Sequence, residues 1–232
     1  MKKTAVLLDL GFVLHKLRTS LRNRYPTASE VRDFALKCVG PDEELFRIYC
    51  YHCHPYVGKE VHPFTRNIVD FGASSSFKTM SRFMKDLAVL DNIALRSGEL
   101  SFDGWLIRDV AAVQILKTGR SLLGTDFQPD LKQKHVDMKI GLDIAWLASK
   151  RIVERVVLVT ADSDFVPAMK FARREGVQVV LVTMGHTLVK RELKVHAENC
   201  AQWCTRERRL KTLLRLPACL RDEVFDVDDL AR

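Results

Sequence analysis

Arg155–Pro167, with the sequence RVVLVTADSDFVP, gives the clearest structural signal in the chain. Its first five residues are mostly β-branched and apolar, which predicts a short buried strand. The residues that follow show a helical pattern, which Gly176 ends. Asp162 and Asp164 therefore stand where a strand passes to a helix, the edge at which open α/β sheets bind ligands. Paired carboxylates there indicate a site for a hard cation, Mg²⁺ or Mn²⁺, which prefers oxygen ligands.

A plainer interpretation of this pair is helix capping. Asp is a favoured N-cap residue, and Asp164 has the right position to cap the helix that follows it. Capping explains only one of the two acids, because it leaves Asp162 at the end of the strand without a role.

A second strand ends in the same way. Thr4–Leu8 is mainly apolar and is followed directly by Asp9. If this strand lies beside Arg155–Val159, Asp9 and Asp162 point into one crevice. Like charges at such short range repel strongly unless a cation or a proton lies between them.

A third element, residues 134–148, has the pattern of an amphipathic helix. Its apolar residues recur on one face at Val136, Ile140, Ile144 and Leu147. Asp137 falls in the first turn, where a carboxylate suits the helix dipole and can reach a crevice. Asp143 falls in the middle of the helix. It is either a further site residue or the partner of Lys139 in an ion pair one turn away.

Composition favours one globular domain with an anionic partner. The 232 residues can bury one substantial core, and the formal net charge is +8 despite the acidic residues named above. Residues 205–216 predict a basic helix, and residues 222–229 form an acidic tail. We therefore expect a main domain over residues 1–204 and an extension over residues 205–232. The basic excess favours a polyanion such as nucleic acid.

Cysteine usage and hydropathy favour a cytoplasmic protein. No apolar segment is long enough to span a bilayer, and the N-terminal apolar run stops at Asp9, so a signal peptide is not expected. Reduced thiols are then the default. Cys50 and Cys53, with His52 between them, raise the alternative of a zinc site together with Cys200 and Cys204. Alternation of side chains along a predicted strand argues against that alternative.

The middle of the chain predicts less regular structure. Residues 101–106 have the pattern of a turn, and residues 118–134, rich in Gly, Asp, Gln and Lys, predict a long loop. Long loops in compact domains often act as lids over a site, although plain connection is equally compatible with this composition. The polar residues 74–78 predict the entry to a helix that runs through Phe83, Leu87 and Leu90.

These elements, in this order, resemble the NYN domain family, a branch of the PIN-like nuclease superfamily. The resemblance runs over about residues 3–200. It rests on the strand that ends at Asp9, a tyrosine-containing strand at residues 46–55, a strand at residues 93–100, the helix at residues 134–143 and the motif TADSDFVP at residues 160–167. The last motif is the most specific of the five.

The resemblance implies a Rossmann-like α/β/α sandwich with a mostly parallel sheet, and metal-dependent hydrolysis of RNA. Carried over by position, it makes catalytic residues and Mg²⁺ or Mn²⁺ ligands of four acids: Asp9, Asp137, Asp162 and Asp164. Lys134, Thr160 and Ser163 become candidates for substrate binding, and Asp143 a possible additional site residue. The expected activity is endonucleolytic, on single-stranded or loop RNA, and pairing into a homo-oligomer is common among PIN-like domains.

One departure from the family pattern leaves an alternative open. The family commonly has an Asn a few residues after the first Asp, whereas Asp9 is followed here by Leu10, Gly11 and Phe12. The alternative is an RNA-binding or scaffold module that kept the fold and lost catalysis. Other nucleotide enzymes are excluded more firmly, because the chain has neither a P-loop nor a glycine-rich turn after its first strand.

Overall fold

The computed structural model describes residues 1–198, which form a mixed α/β domain. The strands are β1 (Lys2–Asp9), β2 (Glu43–Cys53), β3 (Lys59–Val61), β4 (Ile68–Asp70), β5 (Ile93–Ile107), β6 (Phe127–Lys134), β7 (Arg155–Val159) and β8 (Gln178–Val182). The α-helices are α1 (Leu10–Ser20), α2 (Ala28–Lys37), α3 (Ser75–Ala88), α4 (Asp109–Thr118), α5 (Val136–Ser149), α6 (Val166–Arg174) and α7 (Arg191–Val195).

Six strands form the central sheet in the order β6-β5-β2-β1-β7-β8. All neighbours are parallel except β5 and β6, which pair antiparallel at one edge. On one side of β1 the chain adds β2 and then β5, and on the other side it adds β7 and then β8. The switch in direction therefore lies between β1 and β7, which is where ligands bind in open α/β sheets.

Alternate residues of each strand enter two separate cores. Val6 and Leu8 pack with Val157 and Val159 against α1, α2 and α3 on one face. Leu7 and Leu158 belong to the core on the other face, with α5, α6 and α7. Helices on both faces of a mostly parallel sheet confirm the predicted three-layer α/β/α class. The predicted basic helix at residues 205–216 and the acidic tail lie outside the described residues, so the boundary at 204 stays a prediction.

Two sequence-based predictions about the middle of the chain are wrong. Residues 101–106 are part of β5, and the second half of the predicted loop at residues 118–134 is the strand β6, which begins at Phe127. The pairing of β5 with β6 joins residues far apart in sequence, such as Glu99 with Lys134. Since β6 is an edge strand, it accommodates Pro129 and a largely polar composition, which hid its strand character.

The entry to β6 is held firmly, as the ion pair of Arg120 and Asp126 shows. Arg120 donates two hydrogen bonds to the Asp126 carboxylate, at 2.7 and 2.8 Å, and the Leu123 amide donates a third at 2.8 Å. The Arg120 guanidinium lowers the pKa of the buried Asp126 to about 2. These bonds fasten the turn that leads into β6.

The middle of α5 is tied to the sheet through Asp143. The hydroxyl of the buried Tyr51 donates to Asp143 Oδ2 at 2.8 Å, and Arg96 Nε donates to the same oxygen at 3.1 Å. Lys139 instead donates to the carbonyl oxygen of Ser97. The predicted Lys139–Asp143 pair is therefore wrong, and both side chains fasten α5 to neighbouring strands.

We expect Tyr51→Phe to lower the free energy of unfolding by about 1.5 kcal/mol, the scale of a hydrogen bond to a charged group. Urea denaturation followed by circular dichroism measures the change. Tyr49→Phe is the matched control, because Tyr49 lies on the same strand and face, and its ring stacks with that of Tyr51 at 6.5 Å. Equal losses in the two variants would show that the bond to Asp143 contributes nothing.

Candidate functional site

Asp9 ends β1 and begins α1. Its carboxylate is half-buried and accepts the Phe12 amide at 3.3 Å, which makes Asp9 the N-cap of α1. The Thr160 hydroxyl donates to its other oxygen at 3.1 Å. Both carboxylate oxygens therefore have one donor each, and the remaining lone pairs can accept further bonds.

Thr160 joins the two strand ends. Its side chain is fully buried, donates to Asp9 and accepts the Asp162 amide at 3.2 Å. Sequence reasoning offered two roles for Thr160, a bond to a site carboxylate or contact with substrate. The structure places it behind Asp9, out of reach of a ligand in the crevice.

Asp162 and Asp164 lie on the short 3-10 turn Ser163–Phe165 that connects β7 to α6. Asp162 caps this turn by accepting the Asp164 amide at 3.0 Å. The alternative in which Asp164 is the capping residue is therefore wrong, since the role falls to Asp162. Both carboxylates are exposed at the carboxyl end of β7.

Asp137 reaches the same region from the first turn of α5. His135, with φ of 70°, turns the chain from β6 into the helix. The start of α5 packs tightly on β5, because a Cβ at Gly98 would lie 2.7 Å from both the Lys134 carbonyl oxygen and the Val136 side chain. A glycine is thus required for this close approach. Lys134 is the exposed last residue of β6, not the first of the helix.

The pKa values of Asp9 and Asp137 are both raised, and the charges of neighbouring acids contribute to each shift. Burial raises the pKa of Asp9 most, the hydrogen bonds from Phe12 and Thr160 oppose that rise, and the charges of Asp137 and Asp162 add to it. The pKa of Asp137 is raised by burial first and then by Asp162 and Asp164. Asp143 contributes to neither shift, since it is held by Arg96 on another part of the sheet.

The donor chemistry of this acidic cluster (Asp9, Asp137, Asp162, Asp164) fits a hard divalent cation. Carboxylate oxygens are the ligands that Mg²⁺ and Mn²⁺ prefer, and the mutual repulsion disfavours full ionisation without a counter-charge. Within residues 1–198, no three Asp, Glu, His or Cys side chains come close enough to form a ready-made metal site.

Lys190 is a candidate site residue that sequence reasoning missed. Its Nζ donates to Ser163 Oγ at 2.9 Å, between Asp162 and Asp164 along the chain. It precedes α7, and no local motif connects it with the TADSDFVP stretch 27 residues earlier. Its position after a parallel strand was the one available signal, since loops at that edge of the sheet commonly carry ligand-binding residues.

The zinc alternative has no support within the described residues. Cys50 and Cys53 are buried in β2, and burial raises the pKa of the Cys50 thiol to about 12 and that of Cys53 above its ordinary value. A protonated thiol is a poor zinc ligand. Cys200 and Cys204 lie outside the described residues.

Comparisons with known proteins support the family resemblance. The NYN domain model matches residues 107–202, which include Asp137, Asp162 and Asp164 but not Asp9. Over residues 107–202 this confirms the resemblance drawn from the motifs, and it indicates a nuclease-like function related to RNA. A search of curated proteins gives no match.

One solved structure, a protein of unknown function from Vibrio parahaemolyticus, is similar to this chain. It has 16% sequence identity and a TM-score of 0.44, over 85% of this chain and 90% of that one. Separately, none of the helices within residues 1–198 has the length and apolar character to cross a membrane.

We expect Asp9→Asn to stabilise the protein at neutral pH. The pKa of Asp9 is raised in the folded state, so its carboxyl favours folding while protonated and opposes folding as pH rises through the raised pKa. Removing the charge should raise Tm by about 2 °C at pH 7, on the scale of somewhat under 1 kcal/mol in a chain of this size. The advantage should shrink toward pH 4, which differential scanning fluorimetry measures.

Added Mn²⁺ provides a second readout for the same variant. Mn²⁺ should raise Tm of the wild type more than that of Asp9→Asn, since binding to the folded state alone stabilises it. An Asp9→Asn protein that is less stable than the wild type at pH 7, with the same response to Mn²⁺, would contradict the assigned electrostatics.

Proposed function

We propose that this protein is a metal-dependent ribonuclease, an endonuclease that hydrolyses phosphodiester bonds of single-stranded or loop RNA. The observation that carries the proposal is the acidic cluster at the switch between β1 and β7, in which burial first, and then the charges of neighbouring carboxylates, raise the pKa values of Asp9 and Asp137. The NYN match supports the RNA-related part of the proposal. The endonucleolytic mode and the preference for unpaired RNA come from the family resemblance.

The carboxylates have distinct proposed roles toward Mg²⁺ or Mn²⁺. Asp9 and Asp162 would bind the ion directly, and Asp137 and Asp164 directly or through water. The ion would supply positive charge against the phosphate oxygens and would acidify a water molecule. Asp9 is the best-ordered of these groups, because Phe12 and Thr160 fix its two oxygens.

Basic side chains at the rim suit the phosphate. Lys190 lies beside Ser163 at 2.9 Å, and Lys134 is exposed at the end of β6, two residues before α5 begins its first full turn. Either ammonium group can pair with a phosphate oxygen as a point charge. A formal net charge of +8 gives the chain further electrostatic attraction for RNA.

Proton transfer fits Asp137 best among the four acids. Asp137 is exposed to solvent in the first turn of α5, where its side chain can reach a water molecule beside the other carboxylates. Asp137 would take the proton that the attacking water loses, and the leaving oxygen would take a proton from solvent.

Cytoplasmic location and assembly into a homo-oligomer remain expectations.

A second candidate function is an RNA-binding module without catalysis. Two observations favour it: Phe12 and its neighbours replace the Asn common in the family, and within residues 1–198 no three side chains form a compact metal site. Such a module should bind RNA equally well with and without a divalent ion.

We expect wild-type protein with Mn²⁺ to cleave an end-labelled, mixed-sequence single-stranded RNA, and Asp162→Asn to lose roughly 100-fold or more of that rate. Denaturing gels that resolve the fragments measure the rate, and EDTA should abolish it. Asp86→Asn is the matched control, because it removes an exposed carboxylate from α3 that pairs only weakly with Arg82 at 3.8 Å.

The possible outcomes separate the two functions. Equal rates for wild type and Asp162→Asn would exclude this site as the source of cleavage. A folded wild type that leaves RNA intact, and that binds it equally in EDTA, would favour the module.

A further inference from the structure

A cavity of about 460 Å³ opens beside the acidic cluster, and the proposed nuclease activity does not use it. Its walls are the first turns of α3, the end of β2, the β5–β6 hairpin and the connection between α1 and α2. Its volume falls within the range of small-molecule sites, roughly 300–1,000 Å³.

The chemistry of the lining is neutral and aromatic. None of the side chains that line the cavity carries a formal charge, in a chain that has 66 basic and acidic residues (37 Lys and Arg, 29 Asp and Glu). Tyr56, Phe71, Phe77 and Phe83 contribute rings. The rings of Tyr56 and Phe71 contact each other at 5.5 Å, edge to face, and both contact Phe102 behind them. Such a lining suits a flat, uncharged, ring-shaped group.

His52 is a polar residue of the lining. The Nδ1 atom of its ring has no accessible surface and makes no hydrogen bond with the rest of the described chain, so it meets a ligand in the cavity only when the ring rotates. Burial lowers the pKa of His52, so its ring is neutral at physiological pH and can donate or accept one bond. A buried polar atom without a partner costs free energy, which a ligand with a polar edge would recover.

The cavity is continuous with the acidic cluster. Gln133 lines the cavity, and a Cβ at Gly11 would lie 3.7 Å from its Nε2 and 3.4 Å from Asp9 Oδ1, so the two groups flank one small space. Cys53 also lines the cavity, and its thiol lies close enough to Asp137 for that charge to affect its pKa. A ligand with a neutral ring in the cavity therefore has its attached groups at the carboxylates.

We propose that this cavity is a nucleobase pocket that holds one unpaired base of the RNA while the adjoining phosphate lies at the acidic cluster. The His52 ring, once rotated toward the cavity, bonds the polar edge of the base, and the adjoining rings of Tyr56 and Phe71 pack against one side of it. Gln133 lies between the base site and the phosphate site. This inference rests on the proposed function for the identity of the ligand. It adds that the chain selects which base lies next to the phosphate it binds, a selectivity that the acidic cluster cannot provide because it contacts only phosphate.

The test is equilibrium binding of 5′-fluorescein-labelled 12-nucleotide RNAs, measured by anisotropy in EDTA so that no cleavage occurs. The probes are oligo(A), oligo(C), oligo(U) and a ribose-phosphate oligomer without bases. Wild type should bind its preferred homopolymer roughly tenfold more tightly than the weakest one, the scale for one stacked and bonded base, and should bind the abasic oligomer weakest of all.

Two variants locate that preference. His52→Leu should reduce the discrimination between homopolymers to about twofold or less, and Tyr56→Leu, on the part-exposed wall, should weaken binding of the preferred one roughly tenfold. His15→Leu, an exposed histidine of α1 that does not line the cavity, is the matched control and should keep the wild-type preference. Circular dichroism confirms that each variant is folded, and Tyr56→Leu serves if His52→Leu does not fold.

The outcomes distinguish this inference from the proposed nuclease. RNA cleavage with no base preference, or a preference that both variants keep, would contradict the nucleobase pocket. Neither result would contradict the proposed nuclease activity. Base-selective binding that both variants remove, in a protein that does not cleave RNA, supports the pocket and rejects the nuclease. Equal affinity for the abasic oligomer and the homopolymers also overturns the pocket, and its occupant is then a small apolar molecule or a side chain of a protein partner.

Discussion

The parallel pairing of β1 with β7 is the constraint on which the rest of the site depends. Leu8 lies opposite Val159 in the register, so Asp9 and Thr160 follow at the same level, and the Thr160 hydroxyl bonds the Asp9 carboxylate at 3.1 Å. Each strand then continues directly into a capped turn: Asp9 caps α1, and Asp162 caps the turn before α6. A shift in this register would separate the first acid from the other three.

The acidic cluster lowers the stability of the folded protein. Burial and neighbouring charges raise the pKa values of Asp9 and Asp137, and donors from Phe12 and Thr160 offset only part of that penalty at Asp9. At Asp9, helix capping and charge repulsion act on the same carboxylate. Energetically unfavourable arrangements of this kind are common at functional sites.

The crevice and the neighbouring cavity have opposite chemistry. The crevice contains carboxylates, with Lys190 beside Ser163, whereas the cavity is lined by neutral and aromatic side chains. The two regions meet at Gln133 on β6. The antiparallel edge formed by β5 and β6 is therefore more than a closing strand of the sheet, because it contributes a wall to the cavity and leads into α5 with Asp137.

The elements with local sequence signals could be predicted from the sequence alone. β-branched runs predicted β1 and β7, the stripe from Val136 to Leu147 predicted the buried face of α5, and the position of each acid after a strand or in a first turn followed from those elements. Only the tertiary structure decided what depends on distant partners. The sequence of β6 has a loop-like composition, because its strand structure depends on pairing with β5. Asp143 accepts hydrogen bonds from Arg96 and Tyr51 rather than pairing with Lys139. Lys190 bonds Ser163, which lies 27 residues earlier in the chain. Periodicity reports which face of an element is apolar, but long-range pairing depends on how the elements pack together, and no local pattern records that.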